Sequence, residues 1–178
     1  MKLLEQIEQG LVWDHWFKIE QKDRYHSLSG DTLQAEIEKW RSDIKSCLPN
    51  DLQWYKAEIE EGDLNHIYII SSDDWSEISN ETFLALNVSK NLNAHNQNDD
   101  SIRISKDIKE KMSFLEDGDC FDTKFIAVSD NNQGSFTLIE GNRRAVALIC
   151  LNNLIGIRIF FGISKQVRNC KWTRYAYR

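Results

Sequence analysis

The run from Phe136 to Leu151 constrains the fold more than any other part of the chain. Its first four residues, FTLI, are apolar or β-branched, which predicts a buried strand. The polar sequence EGNRR follows, and the small apolar residues AVALICL then predict a buried helix. The chain must therefore pass from a strand to a helix through a turn that contains a single glycine.

This turn has the chemistry of an anion site. The first amides of a helix have no partner inside the helix, and the helix dipole places partial positive charge there. Gly141 lets the backbone come close to a ligand, and the guanidinium groups of Arg143 and Arg144 suit phosphate. We therefore expect Gly141, Asn142, Arg143 and Arg144 to bind phosphate. In the alternative, Glu140 pairs with an arginine and the turn is only a tight connection.

The flanking residues predict a hairpin before the turn and a further strand after the helix. The apolar residues 125–129 and the strand at 136–139 enclose the turn-forming sequence DNNQGS, which favours an antiparallel pair. Residues 155–162 are again apolar and β-branched. The predicted order is strand, turn, strand, glycine–arginine loop, short helix, strand.

In this order, residues 125–162 resemble the core of the ParB/sulfiredoxin-like superfamily. That family has an apolar hairpin, a Gly-x-x-Arg turn that opens an alanine-rich helix, and a strand. Gly141 and Arg144 match the Gly-x-x-Arg turn, Arg143 matches the doubled arginine of the ParB branch, and Ala147 matches the helix alanine. In the family this turn binds nucleotide phosphates, those of CTP in ParB and of ATP in sulfiredoxin.

The resemblance implies a bound NTP, either ATP or CTP, with Mg²⁺, and hydrolysis of the nucleotide or transfer of its phosphate. Glu140 would then hold Mg²⁺ or act as the catalytic base. Asn142 and Arg143 stand where sulfiredoxins carry their catalytic cysteine, so reduction of sulfinic acid is not expected. ParB proteins have a glutamate directly after the glycine, whereas here the acid precedes it at Glu140.

Two other functions remain open at this point. The first is a non-catalytic, DNA-associated regulator from a mobile element or defence system, in which the same loop binds a nucleotide or a DNA phosphate without turnover. The second is a ParB-like nuclease, which needs several carboxylates for metal ions near the loop. The candidate carboxylates are those of Asp73, Asp74, Asp99 and Asp100.

The charges of the chain are unevenly distributed. All 28 acidic residues lie at or before Glu140, whereas residues 141–178 contain eight Lys or Arg residues and no acidic one. This segment therefore meets an anion, the acidic part of its own chain, or both. Lys171, Trp172 and Arg174 are candidate contacts to nucleic acid or to a nucleotide base. Because the net charge is −6, we favour the alternative in which the aromatic residues pack on the body.

The predicted fold class is α+β, a small mixed sheet with surrounding helices. Residues 1–50 are expected to form a helical segment packed on the body, and residues 51–178 the nucleotide-binding domain. The helical prediction rests on a first apolar run near the N-terminus and on a stripe at helical spacing, Leu33, Ile37, Trp40, Ile44 and Leu48. Residues 53–60 and 66–70 predict a second hairpin, and Ser105 is the expected N-cap of a later helix.

The four cysteines, Cys47, Cys120, Cys150 and Cys170, are far apart in the sequence and show no Cys-x-x-Cys spacing. We therefore expect reduced thiols, no zinc site and a cytoplasmic protein. The chain has no apolar run of the roughly 20 residues that a membrane-spanning helix needs. No membrane partner is therefore expected. The N-terminal sequence also lacks the apolar core and the cleavage site of a signal peptide.

Overall fold

The computed structural model describes residues 1–24, 30–94, 98–118 and 124–177. The strands are β1 (Lys2–Ile7), β2 (Gln53–Glu58), β3 (Ile67–Tyr68), β4 (Ile126–Ser129), β5 (Phe136–Glu140) and β6 (Arg158–Ile163). The α-helices are α1 (Gln9–Arg24), α2 (Gly30–Cys47), α3 (Ala85–Asn91), α4 (Asp99–Glu116) and α5 (Asn142–Cys150). Short 3-10 helices cover Glu61–His66, Asp73–Trp75, Lys165–Asn169 and Lys171–Tyr177. The predicted α+β class is confirmed.

The six strands form one mixed sheet in the order β1-β2-β6-β4-β5-β3. The β1–β2, β2–β6 and β4–β5 pairs are antiparallel, whereas β4–β6 and β3–β5 are parallel. The hairpin of β4 and β5, the turn, α5 and β6 follow one another as predicted. Because Ile126 pairs with both Glu140 and Phe160, the glycine–arginine turn lies at one end of the three central strands.

The prediction that the chain begins with a helix is wrong for residues 2–7. These residues form β1, which extends the sheet by pairing with β2. Two cross-strand ion pairs help to set this pairing, Lys2 with Glu58 at 3.7 Å and Lys56 with Glu5 at 2.7 Å. Opposite charges on facing residues favour a strand pair, but the sequence does not show that these residues face each other.

The second predicted hairpin is also wrong. The strand at β2 is confirmed, but the following residues, Glu61–His66, form a 3-10 helix instead of a turn. They carry the chain to the opposite edge of the sheet, where β3 runs parallel to β5 through Ile67 and Phe136. An alternating pattern predicts that a strand forms, but it does not identify the partner strand.

Helix α4 begins earlier than the predicted cap, Ser105, which lies buried inside the helix. The N-cap is Asn98, whose side-chain oxygen accepts a hydrogen bond from the Ser101 amide at 2.8 Å. Two aspartates in the first turn, Asp99 and Asp100, are also favoured there because they oppose the positive end of the helix dipole. Helix α4 packs against α5, as does α3.

A single hydrophobic core joins the N-terminal helices to the sheet. Val12 and Trp16 from α1 and Ile44 and Leu48 near the end of α2 are buried in the same cluster as the strand residues. The side chains of Leu33, Ile37 and Trp40 lie outside the described part of the structure. Among the described residues, no helix is both long enough and apolar enough to cross a bilayer.

The cysteine prediction is wrong for two residues. Cys47, at the end of α2, and Cys170, between the last two 3-10 helices, form a disulfide with their Cα atoms 5.2 Å apart. The sequence separation of 123 residues hides this proximity. Cys150 is a free thiol whose pKa is raised by burial, and Cys120 lies outside the described residues.

Candidate functional site

Gly141 forms the turn between β5 and α5. Its backbone adopts the left-handed conformation, with φ 89° and ψ 14°, and its carbonyl accepts the first helical hydrogen bond from the Ala145 amide at 2.8 Å. A Cβ atom at this position would lie 2.4 Å from Cδ1 of Phe125. Glycine is therefore required twice, by the backbone conformation and by the aromatic ring that packs against it.

Glu140 and Arg144 form an ion pair on the two sides of this glycine. Nη2 of Arg144 donates to Oε2 of Glu140 at 2.5 Å, and the two side chains are 8% and 12% exposed. The guanidinium carbon of Arg144 also lies 5.8 Å from the centre of the Phe125 ring, a cation–π distance. Glu140, the predicted metal ligand and catalytic base, is therefore paired with Arg144, a predicted phosphate ligand. This pairing is the one that the alternative of a tight connection requires.

Arg143 lies closer to solvent. Its Nη1 atom is 3.1 Å from Oδ2 of Asp107 on α4, and the two side chains are 27% and 34% exposed. A pair that is partly open to water binds weakly enough to exchange for a stronger anion. Of the two predicted arginines, Arg143 is therefore the one whose geometry suits contact with a phosphate.

Asn142 connects the turn to the end of β3. Its side-chain oxygen accepts a hydrogen bond from the Ile70 amide at 3.1 Å. The segment after β3, with Asp73 and Asp74, therefore lies next to the start of α5. The oxygen of Asn142 positions this segment, which is a different role from the predicted contact with phosphate.

The acidic residues proposed for a nuclease site are partly brought together. Arg103 on α4 lies 2.7 Å from Asp100 and 3.9 Å from Asp74, so these two carboxylates converge on one guanidinium. Asp73 instead approaches Arg174 at 3.8 Å. Within the described residues, no group of three or more His, Cys, Asp or Glu side chains is arranged to hold a metal ion. The predicted Mg²⁺ and the nuclease function remain predictions.

The basic tail packs against the body through its aromatic residues. The indole nitrogen of Trp172 donates to the Asp43 carbonyl at 3.2 Å, and the ring of Tyr175 stacks on Phe83 at 3.9 Å. Lys171 lies 3.9 Å from the Asp43 carboxylate. Arg174 lies over the Tyr175 ring at 5.0 Å. The tail does not lie freely in solvent, and its predicted contact with nucleic acid or a base remains a prediction.

Sequence reasoning missed three residues that shape this site. The sequence predicts Phe125 only as a strand residue, yet its ring packs against both Gly141 and Arg144. The sequence pattern indicates no role for Asp107 and Arg103. One signal was available, because they lie four residues apart and therefore on one face of α4. Their proximity to α5 depends on helix packing, which the sequence does not show.

A groove runs along α4 beside the end of α3. It has a volume of about 900 Å³ and is lined by residues that include Ile102, Lys109 and Phe114. Neither Arg103 nor Asp107 lines it, and nor does any residue from Glu140 to Arg144. The groove is therefore separate from the glycine–arginine turn.

Comparisons with protein-family models, with curated proteins and with solved structures find no match to this chain.

Proposed function

We propose that this chain binds a nucleotide, with its phosphates at the start of α5. The observation that carries the proposal is the turn itself, in which a left-handed glycine ends β5 and opens a helix with a partly exposed arginine in its first turn. A helix N-terminus favours negative charge, and an arginine beside it adds a charge-assisted hydrogen bond. The resemblance to the ParB/sulfiredoxin-like superfamily supports the same ligand, ATP or CTP.

In this proposal the residues of the turn have different tasks. Arg143 exchanges the carboxylate of Asp107 for a phosphate oxygen. Arg144 and Glu140 neutralise each other and hold the turn in shape, so that the backbone is ordered before the ligand arrives. Asn142 keeps the segment after β3 in place beside the phosphates.

Mg²⁺-dependent hydrolysis or phosphotransfer is a further hypothesis of the proposal. Glu140 does not fit the role of a Mg²⁺ ligand in this arrangement, because its carboxylate is 12% exposed and already paired with Arg144. No chemical step is therefore assigned to Mg²⁺ or to Glu140. We also propose that the protein acts in the cytoplasm, where nucleotides are abundant.

A thermal-shift screen over ATP, GTP, CTP, UTP and their diphosphates, with and without Mg²⁺, tests the proposal. At 100-fold excess over the dissociation constant, a ligand raises the free energy of unfolding by about 2.7 kcal/mol. We expect a clear rise for at least one nucleotide and none for the corresponding nucleoside. No rise with any nucleotide would contradict the proposal.

The same sample distinguishes the three functions. Release of phosphate from the bound nucleotide supports hydrolysis, and binding without turnover supports a non-catalytic, DNA-associated regulator. Cleavage of plasmid DNA that EDTA abolishes supports the nuclease.

A further inference from the structure

We infer that Cys47 and Cys170 form a reversible thiol–disulfide switch that fastens the C-terminal segment to α2. Their Cα atoms are 5.2 Å apart, within the range that a disulfide requires. The bond joins parts of the chain that are 123 residues apart. This inference goes beyond nucleotide binding and does not depend on it.

The surroundings of the two sulfur atoms determine how the bond opens. Cys170 is 2% exposed, whereas Cys47 is half-buried on the last turn of α2. Cys47 is therefore the more accessible of the two cysteines to an external thiolate. The Lys171 amide donates to this sulfur at 3.1 Å, which stabilises negative charge on it when it becomes a thiolate.

Opening the bond needs a low-molecular-weight thiol such as glutathione. One thiolate attacks the sulfur of Cys47, the disulfide breaks, and Cys170 leaves as a thiolate that takes up a proton. A second thiolate then attacks the external sulfur of the mixed disulfide and releases Cys47. In total, two external thiols are oxidised to one disulfide, and the protein gains two thiols. Oxidised glutathione reverses both steps.

Close to the disulfide, Trp172 forms a hydrogen-bonded bridge between α2 and the segment that follows β3. The Trp172 indole donates to the Asp43 carbonyl on α2 at 3.2 Å, and the Trp172 carbonyl accepts from the Ser71 amide at 2.9 Å. The adjacent Ile70 amide donates to Asn142 at the start of α5. Opening the bond removes the covalent anchor of this bridge and loosens the segment around residue 71.

A glutathione titration of the full chain tests the switch. The protein is equilibrated at graded ratios of oxidised to reduced glutathione, quenched with acid, unfolded and labelled with a maleimide for mass spectrometry. We expect two labelled cysteines at the oxidising end and four at the reducing end, with Cys47 and Cys170 as the pair that changes. The variant Cys150→Ser should show the same transition with one label fewer.

Hydrogen exchange under the same two conditions tests the consequence. The amides of Ser71 and of the residues around Trp172 should exchange faster in the reduced protein, while the amides of β4 should not change. The variant Cys170→Ser should exchange fast under both conditions. If that variant does not fold, hydrogen exchange of the oxidised and reduced wild-type protein still tests the inference.

Three results would overturn the inference. The first is four free thiols in oxidised glutathione, or a bridge that involves Cys120 or Cys150. The second is a Cys47–Cys170 bond that stays closed at every glutathione ratio, because a permanent bond is not a switch. The third is equal hydrogen exchange of the Ser71 amide in the oxidised and reduced proteins.

Discussion

Phe125 explains why the turn has its sequence. The ring lies directly against Gly141 and within cation–π distance of Arg144, so a single aromatic side chain fixes both the glycine and the buried ion pair. The Gly-x-x-Arg pattern is therefore needed for packing in this structure, whether or not a ligand binds. In the proposed nucleotide site, contact with a phosphate depends on Arg143, which lies nearer to solvent.

Replacing Gly141 with alanine should destabilise the protein. The positive φ and the overlap with Phe125 each cost about 1–3 kcal/mol, so we expect a loss of about 2–6 kcal/mol in the free energy of unfolding. Urea denaturation measures it. Gly62→Ala is the matched control, because an added Cβ there meets nothing within 4 Å in the described structure. Equal stability of Gly141→Ala and the control would contradict this packing.

Replacing Arg144 with alanine should also cost stability, because the largely buried carboxylate of Glu140 would lose the guanidinium with which it forms an ion pair. Breaking a buried ion pair in this way costs about 3–5 kcal/mol. The double variant Glu140→Gln/Arg144→Met should recover a large part of that loss. Denaturation of the three proteins checks the expectation. A fully stable Arg144→Ala variant would show that the pair does not support the turn.

At the scale of elements, the sequence predicts what is local and misses what is distant. The hairpin of β4 and β5, the glycine turn and α5 follow from apolar runs and one glycine that are adjacent in the chain. The positions of β1 and β3 at the two edges of the sheet do not follow from such local patterns. Their partners are set by contacts between distant residues, and a short alternating run contains no information about them.

The cap of α4 gives a prediction at this scale. Asn98→Ala removes the hydrogen bond to the Ser101 amide and should lower the free energy of unfolding by about 1 kcal/mol. Asn153→Ala, at an exposed position after α5, is the control and should stay within about 0.5 kcal/mol of wild type. Chemical denaturation separates the two variants. A cost at Asn153 as large as that at Asn98 would argue against the cap.

Across the whole molecule, the uneven charge is balanced inside the fold. Every Lys and Arg of residues 141–177 lies within 4.0 Å of an earlier acidic side chain or of Glu140, namely Arg143, Arg144, Arg158, Lys165, Arg168, Lys171 and Arg174. Arg168 is the clearest case, since its Nε atom donates at 2.7 Å to Asp130, which is 2% exposed. The sequence shows that acidic and basic residues are unevenly distributed, and only the fold shows which acidic residues pair with the basic segment.

This pairing predicts that the tail does not hold single-stranded DNA at about 150 mM salt, because that contact would have to break the internal pairs. Fluorescence anisotropy at two salt concentrations measures it, with a Lys171→Ala/Arg174→Ala variant as the control. Sub-micromolar binding would contradict the expectation if it weakens with a slope of about −0.7 per phosphate contact and is lost in the variant.

Calorimetry of the nucleotide found in the screen tests the central claim most directly. Arg143→Ala should weaken binding by about 1.5–3 kcal/mol, because a charge-assisted contact is lost. Asp107→Asn should leave binding equal or strengthen it by up to about 1 kcal/mol, since the carboxylate that competes for Arg143 is gone. Lys56→Ala, three strands from β5, controls for the loss of a positive charge and should bind as wild type. Equal affinities of Arg143→Ala and wild type would contradict a phosphate site at the start of α5.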